Sequence, residues 1–537
     1  MRRILAALVA AAAVVTTAPQ AAAAPADRVV TDYQDPVQAQ DPVQALPPVS
    51  RPPTPSCTVT AMKHTFANSY GQPYVGTLAP PAQCAGPWTK VVLSWTASSK
   101  GRQYDRLAGL WIGGAEVLRT STPEPDPSGI TWHFDRDITE FSPLLHRAQP
   151  FVMDLGNVVN QTYTGPYDVE VTVTYYQADR AHPAPEQADT VLPLAADAGQ
   201  PGWQALPDGK NYTAQVTVPA NTAKLTAQVY ARGGGCEEFW WSNVPTELAK
   251  AYPQAGLCGG GTYREVGVRV DGRPAGVVAP YSVIYTGGVA PMLWRPISAI
   301  DAIVTLPYTI DLSPFLGTLT DGRPHTVELV PPHGIVDSWT LGGNLFATTD
   351  PGVRRVTGTA PSTELPEAEV RVGTTGTGLD TSIATHVARS WHTSALLHTS
   401  RGLVPVRASG QWTFDNTTKL ADSASKQNTD QHVVGSYGSM GKVDGFDFSL
   451  RADVTQKIVD DNNYRIDASV HMGRRLWTVG GGRPALSEDT IDTSGGFGRT
   501  NGVLTYADGR SHEQWTGLDD VGRWYSKRIN TEHGYVV

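Results

Sequence analysis

The sequence predicts an all-β protein, built as two adjacent jelly-roll-like antiparallel β-sandwiches followed by a third β-rich C-terminal domain. Three observations predict it. Short segments alternate apolar and polar residues with the period of two that half-buried strands need. The 53 glycines and 41 prolines among 537 residues recur between those segments, where turns are required. Two successive stretches of similar size also share the same short-strand rhythm, which a pair of packed sandwiches accommodates.

The chain starts MRRILAALVAAAAVV and closes its apolar run with alanines at 21–24. That is the layout of a cleaved secretory signal, assigned to residues 1–24. No later run is long and apolar enough for a spanning helix. An exported, extracellular protein that does not enter the membrane is expected. Residues 25–55, rich in Pro, Gln, Asp and Ala, read as a disordered leader. The first sandwich is placed at 56–178, where Val91, Leu93 and Trp95 alternate, as do Val169, Val171, Val173 and Tyr175. An Ala/Pro/Asp-rich linker follows at 179–202. The second sandwich is placed at 203–352, with an Asp271-Gly272 hairpin turn. A second linker (353–367) leads to the C-terminal β-rich accessory domain (368–537), in which Phe446, Phe448, Leu450, Ala452 and Val454 alternate.

A net charge of −9 provides no basic face for a nucleic-acid partner. The four cysteines of an exported chain read as two disulfides, and three pairings are possible. The local pairs Cys57–Cys84 and Cys236–Cys258 close modest loops within separate sandwiches and are preferred. No CxxC spacing calls for zinc. The chain has no GxSxG elbow, Walker loop, HExxH or dinucleotide fingerprint, so neither metal nor cofactor is expected.

The stretch with most chemistry is GGGCEEFWWSNV, Gly233 to Val244. A strand with Leu225, Ala227, Val229 and Ala231 on one face runs into three glycines, a cysteine, the carboxylates Glu237 and Glu238, and three aromatics. Acids beside flat aromatic surface suit a sugar-processing site. Asp105, next to Arg106 at a strand start, is the candidate partner from the first sandwich. The adjacent guanidinium is expected to favour its ionised form, and partial burial to raise Glu238, separating a base from an acid. The same pair of carboxylates suits an endo-acting glycoside hydrolase, and the same tryptophans suit a carbohydrate-binding sandwich.

The segments GRQYDR, VLRTSTPEP, LGNVVNQTYTGPY, EFWWSN, YTGGVAPMLWRP and DLSPFLGTLTDG resemble, in order and spacing, the peptide:N-glycosidase A family of glycoamidases. The resemblance covers roughly Cys57 to Asp350; the final third is similar only loosely. It implies hydrolysis of the amide bond between asparagine and the innermost N-acetylglucosamine of N-linked glycans, with tolerance of core fucose. N-glycopeptides or denatured N-glycoproteins are the implied substrates, and a monomer is expected. It places catalytic roles on Asp105 and Glu238, with Glu237 competing for the second, and leaves open which is base and which acid. Arg106, Trp240, Asn157, Trp294, Arg295 and Trp339 are the implied substrate contacts, and Asp154 aligns only roughly with a third acid.

Overall fold

The computed structural model describes residues 39–481 and 484–537. The expected signal peptide and the first part of the expected leader lie outside the described residues.

The first sandwich pairs two four-stranded antiparallel sheets. One runs Ser56–Phe66, Tyr167–Gln177, Trp88–Ser99, Ile130–Asp137; the other runs Tyr74–Leu78, Gln149–Leu155, Leu107–Ile112, Ala115–Ser121. Counted along the chain, these are strands 1-8-3-6 facing 2-7-4-5, the strand order of a jelly roll. The second sandwich repeats the order. Gln204–Pro207, Ser338–Thr349, Thr222–Gly234 and Tyr308–Asp311 face Tyr212–Val216, His325–Val330, Val266–Val270 and Arg273–Val278. Its alternation is faithful to the sequence: Leu225, Ala227, Val229 and Ala231 all point into the core. The bonds Cys57–Cys84 and Cys236–Cys258 each tie down a loop of one sandwich.

The C-terminal region is a single antiparallel meander of strands between Thr357 and Val536, several of them fourteen to twenty residues long. It is not a separate accessory body. One face alternates buried side chains that share a core with the second jelly roll, among them Trp391, Phe414, Phe446 and Ile491. Polar contacts fix the register: Trp391 Nε1 donates to the Val277 carbonyl at 3.1 Å, the Ala279 amide donates to Tyr437 Oη at 2.8 Å, and Arg389 pairs with Glu265. Asp301 pairs with Arg474.

Three segments differ from their sequence-based expectation. From residue 39 onward the supposed disordered leader is an ordered strap. Val43 bridges Ile297, Ala45 is fully buried with its amide donating to Glu513, and Arg51 pairs with Asp135. Partners more than 80 residues away in sequence supply the burial that its own composition lacks. In the first linker Thr190–Pro193 adds an edge strand to the second jelly roll. In the other linker Thr357–Gly358 and Ser362–Glu364 pair with Asp380–Thr399.

The two jelly rolls meet along Ala115–Ser121, every residue of which is buried. Glu116 and Arg119 form an ion pair with no solvent exposure, at 2.7 Å, and Arg119 also donates to the Thr340 carbonyl. The Glu116 amide donates to Asn344 Oδ1, and Asn344 Nδ2 donates back to the Glu116 carbonyl. Glycine is needed opposite: a Cβ on Gly342 would stand 2.3 Å from Glu116 Oε2. Removing one partner of such a pair strands a buried charge, so Glu116→Ala is expected to cost about 3–5 kcal/mol. Urea denaturation checks this; a loss well under 1 kcal/mol contradicts it.

Candidate active site

The strand Thr222–Gly234 ends in a glycine turn that sends two neighbouring glutamates to opposite fates. Gly235 has φ +58°, and a Cβ there would lie 1.9 Å from Asp337 Oδ2. A Cβ on Gly233 would meet the Glu237 carbonyl oxygen at 2.0 Å. Only glycine lets the chain fold back so closely. Glu237 turns inward. Its carboxylate accepts from Arg264 Nε at 2.6 Å and Nη2 at 2.8 Å, from Trp339 Nε1 at 2.9 Å and from the Val336 amide at 3.2 Å. With its charge matched by a bidentate guanidinium, this group is structural. Glu238 turns the other way and has one ionic neighbour, Arg232 Nη2, at 3.4 Å.

Arg232 sits between the sandwiches, its guanidinium 4.5 Å from the centre of the Tyr285 ring. Its Nε is buried and has no hydrogen-bond partner. Asp105 of the first jelly roll faces the same guanidinium. Burial raises Asp105 above the usual carboxylate range, opposed mainly by the charge of Arg232, then by a backbone amide and by Arg106. Burial pushes Glu238 up to about 7; Arg232 pulls it down and the charge of Asp105 raises it. The two carboxylates therefore titrate as a pair. Asp105 is held from both sides: the Arg106 amide donates to Thr122 Oγ1 at 2.9 Å, and Tyr167 Oη donates to the Tyr104 carbonyl at 3.1 Å.

A third acid joins them. A Cβ on Gly287 would stand 2.7 Å from both Asp105 Oδ1 and Glu124 Oε1, so the two carboxylates face one small space above that glycine. Glu124 pairs with Arg295 at 3.5 Å. Burial pushes it up to about 8, with Arg295 opposing and Asp105 adding to the shift. The loop bearing Gly287 is tied to the first jelly roll where Thr286 Oγ1 donates to the Thr122 carbonyl at 2.7 Å.

Of the residues singled out from sequence, Asp105, Glu238 and Arg295 converge on this cluster. Arg106 favours the ionised form of Asp105, as expected, but less than Arg232 does. Its guanidinium donates to Tyr70 Oη and Gln103 Oε1, each at 2.6 Å, and stacks 3.5 Å from the Tyr104 ring centre. Arg232 supplies the main positive charge instead. The expected contact roles of Glu237, Trp240, Trp339, Trp294 and Asn157 meet an obstacle in burial. Trp240 packs between Trp339 and Phe414. Trp294 Nε1 is spent on the Gly288 carbonyl, and Asn157 Nδ2 on the carbonyls of Phe66 and Gly165. All five are at most 3 % exposed and present no face for a sugar. Asp154 is paired in strand register with Gly109 and hydrogen-bonds Trp203, outside the cluster.

Sequence reasoning passed over Arg232, Tyr285 and Glu124. Glu124 and Tyr285 stand inside the quoted segments VLRTSTPEP and YTGGVAPMLWRP, so an acid and a phenol in those segments were the available signal. Arg232 had one too, as the cation placed just before the glycines.

Comparison with known proteins bears on this arrangement. The family model described as "Peptide N-acetyl-beta-D-glucosaminyl asparaginase amidase A" matches residues 36–366, a span holding both jelly rolls and the whole carboxylate cluster. A Prunus dulcis protein described as "Peptide-N4-(N-acetyl-beta-glucosaminyl)asparagine amidase A" is 31% identical over 406 residues, which is 71% of this chain and 70% of its own. Among solved structures, a chain of the Sputnik virophage particle aligns at 8% identity and TM-score 0.20, over 73% of this chain and 94% of its own, a likeness too slight to bear on the fold.

The raised Glu238 carboxyl makes stability pH-dependent. The folded group titrates near 7 and the ordinary value is 4.5, so between them the native state binds the extra proton. The group's contribution is complete below about 4.5 and is lost as pH rises through about 7. Glu238→Gln is therefore expected to gain stability relative to the parent at pH 8 but not at pH 4. Urea midpoints at the two pH values measure it; an offset independent of pH contradicts it.

Proposed function

The chain belongs to the peptide N-acetyl-β-D-glucosaminyl asparaginase amidase A family, and we propose that its own reaction is hydrolysis of the amide bond between asparagine and the innermost N-acetylglucosamine of N-glycopeptides. The observation that carries this reading is the meeting of Asp105 and Glu238, one from each jelly roll, around a buried arginine.

The electrostatics favour a division of labour. Asp105 has the greater support for its ionised form, from Arg232, a backbone amide and Arg106. It takes a proton from water as the oxygen attacks the side-chain carbonyl carbon. The developing oxyanion falls to Arg232, whose unpartnered Nε is a preorganised donor in a water-poor site. Glu238, neutral below about 7, gives its proton to the amide nitrogen as the C–N bond breaks. The peptide keeps an aspartate and the glycan leaves as a glycosylamine, so one water accounts for both products. Glu124 and Arg295 border the space above Gly287 and hold the substrate next to Asp105.

The reading extends to core-fucosylated glycans, including the α1,3 linkage, on the strength of the family resemblance. It extends to an exported protein on the strength of the N-terminal signal pattern.

Two substitutions test the mechanism on a defined N-glycopeptide. Asp105→Asn removes the base and is expected to lower kcat at least ~10²-fold while glycopeptide binding persists. Arg232→Ala should lose ~10²–10³-fold in kcat, the scale of a lost oxyanion donor. Full activity in Asp105→Asn takes that residue out of the mechanism.

The pH profile follows from the same assignment. The reaction needs Glu238 protonated, so kcat/KM should fall above an apparent pKa of about 7. A rate that keeps rising through pH 8 contradicts Glu238 as the acid.

A further inference from the structure

Most of the C-terminal sheet lies beyond the family match, which ends at residue 366, yet it reaches the site. Tyr464 and Phe497, on the paired strands Asn463–Gly480 and Ala485–Thr500, form an edge-to-face pair with centroids 5.6 Å apart. Both rings are only half-buried. With Leu504 they border a cleft of about 220 Å³ that the first jelly roll completes through Tyr104 and Tyr163, another edge-to-face pair at 5.0 Å. Arg102, Glu124, Met292 and Arg295 border the same cleft. Glu124 is the link to the chemistry, because its Oε1 shares the space above Gly287 with Asp105.

The composition of this cleft suits a sugar. A pyranose offers an apolar face of C–H bonds, which an aromatic ring covers, and an edge of hydroxyls, which guanidinium, carboxylate and phenol groups bind. Both kinds of group are present. Sites for drug-sized ligands occupy roughly 300–1,000 Å³, and this smaller cleft is scaled for one ring. Its position says which ring. Asp105 and Glu238 flank the scissile amide, so the sugar attached to that amide sits with them, and neither residue borders the cleft. The space takes a ring further out.

We propose that this cleft is a glycan subsite, in which Tyr464 and Phe497 of the C-terminal sheet bind the sugar next beyond the innermost N-acetylglucosamine. The proposal rests on the amidase reading of the Asp105–Glu238 centre. It gives the C-terminal sheet a role in substrate choice in addition to its packing against the second jelly roll.

The test uses the full chain, its Tyr464→Ala, Phe497→Ala and Tyr464→Phe variants, and two substrates sharing one peptide. One substrate bears a single N-acetylglucosamine and the other the two-sugar core. Each alanine variant is expected to raise KM about tenfold for the two-sugar substrate while kcat changes less than twofold. The single-sugar substrate should be unaffected, and Tyr464→Phe, which keeps the ring, should restore the two-sugar KM. Equal losses on both substrates, or no loss in variants that retain the parent's thermal midpoint, overturn the subsite. If Phe497→Ala does not fold, Phe497→Leu replaces the ring with less change in volume. Calorimetry with free chitobiose decides the subsite even if the parent chain cleaves neither substrate. Binding by the parent that Tyr464→Ala loses supports the subsite and leaves the amidase reading as the part that failed; equal binding by both, or none by the parent, overturns it.

Discussion

Everything at the site depends on how the strand Ala115–Ser121 of one jelly roll is locked against Ser338–Thr349 of the other. A bare charge there would be prohibitive, yet Glu116 and Arg119 are both fully buried. They are stable because each satisfies the other and Arg119 has a further acceptor in the Thr340 carbonyl, while Asn344 pairs with the Glu116 backbone across the boundary. A polar lock of this kind is directional. It fixes register as well as contact, which an apolar interface of the same area does not. Ser338–Thr349 is also the hydrogen-bonded neighbour of Thr222–Gly234, where Gly233 and Arg232 pair with Trp339 and Thr340. The lock that joins the sandwiches thus places Arg232 within reach of Asp105.

The site itself shows how two adjacent residues of one type acquire different chemistry from their surroundings. Glu237 has four donors, including both arms of Arg264. Glu238 has one distant guanidinium and the repulsion of Asp105. The first arrangement stabilises a carboxylate and fixes Trp339 beneath the turn. The second leaves a carboxyl whose proton is exchangeable near neutrality, which is what acid catalysis needs.

Much of this was legible in the sequence where the signal is local. Period-two alternation at Val91–Trp95 and Leu225–Ala231 is a property of a few consecutive residues, and both segments are core strands. The clustering of Gly233 to Glu238 marked the turn because close backbone approach demands glycine. What the sequence hid is set by partners distant along the chain. Arg106 stands next to Asp105, but its guanidinium is engaged by Tyr70 and Gln103, so the neighbour in sequence is not the main neighbour in charge. Arg232, 127 positions later, is that neighbour. The tryptophans drew attention as sugar platforms, yet Trp240 and Trp339 are buried, Trp240 against Phe414 and Trp339 with its Nε1 on Glu237, partners no local pattern connects to them. Residues 39–55 lack a hydrophobic period because the apolar surface that orders Ala45 belongs to other parts of the chain.

The C-terminal meander, by the same logic, is more than an appendage: it shares a core with the second jelly roll and sets Tyr464 and Phe497 at the rim of the carboxylate cluster. The central claim concerns the bond that breaks, and one measurement addresses it directly. A defined N-glycopeptide is incubated with the protein in water enriched in heavy oxygen and the peptide product is weighed by mass spectrometry. The account predicts loss of the entire glycan with asparagine converted to aspartate carrying one heavy oxygen. Unconverted asparagine, bare or still bearing N-acetylglucosamine, places the cut at a glycosidic bond and contradicts the account.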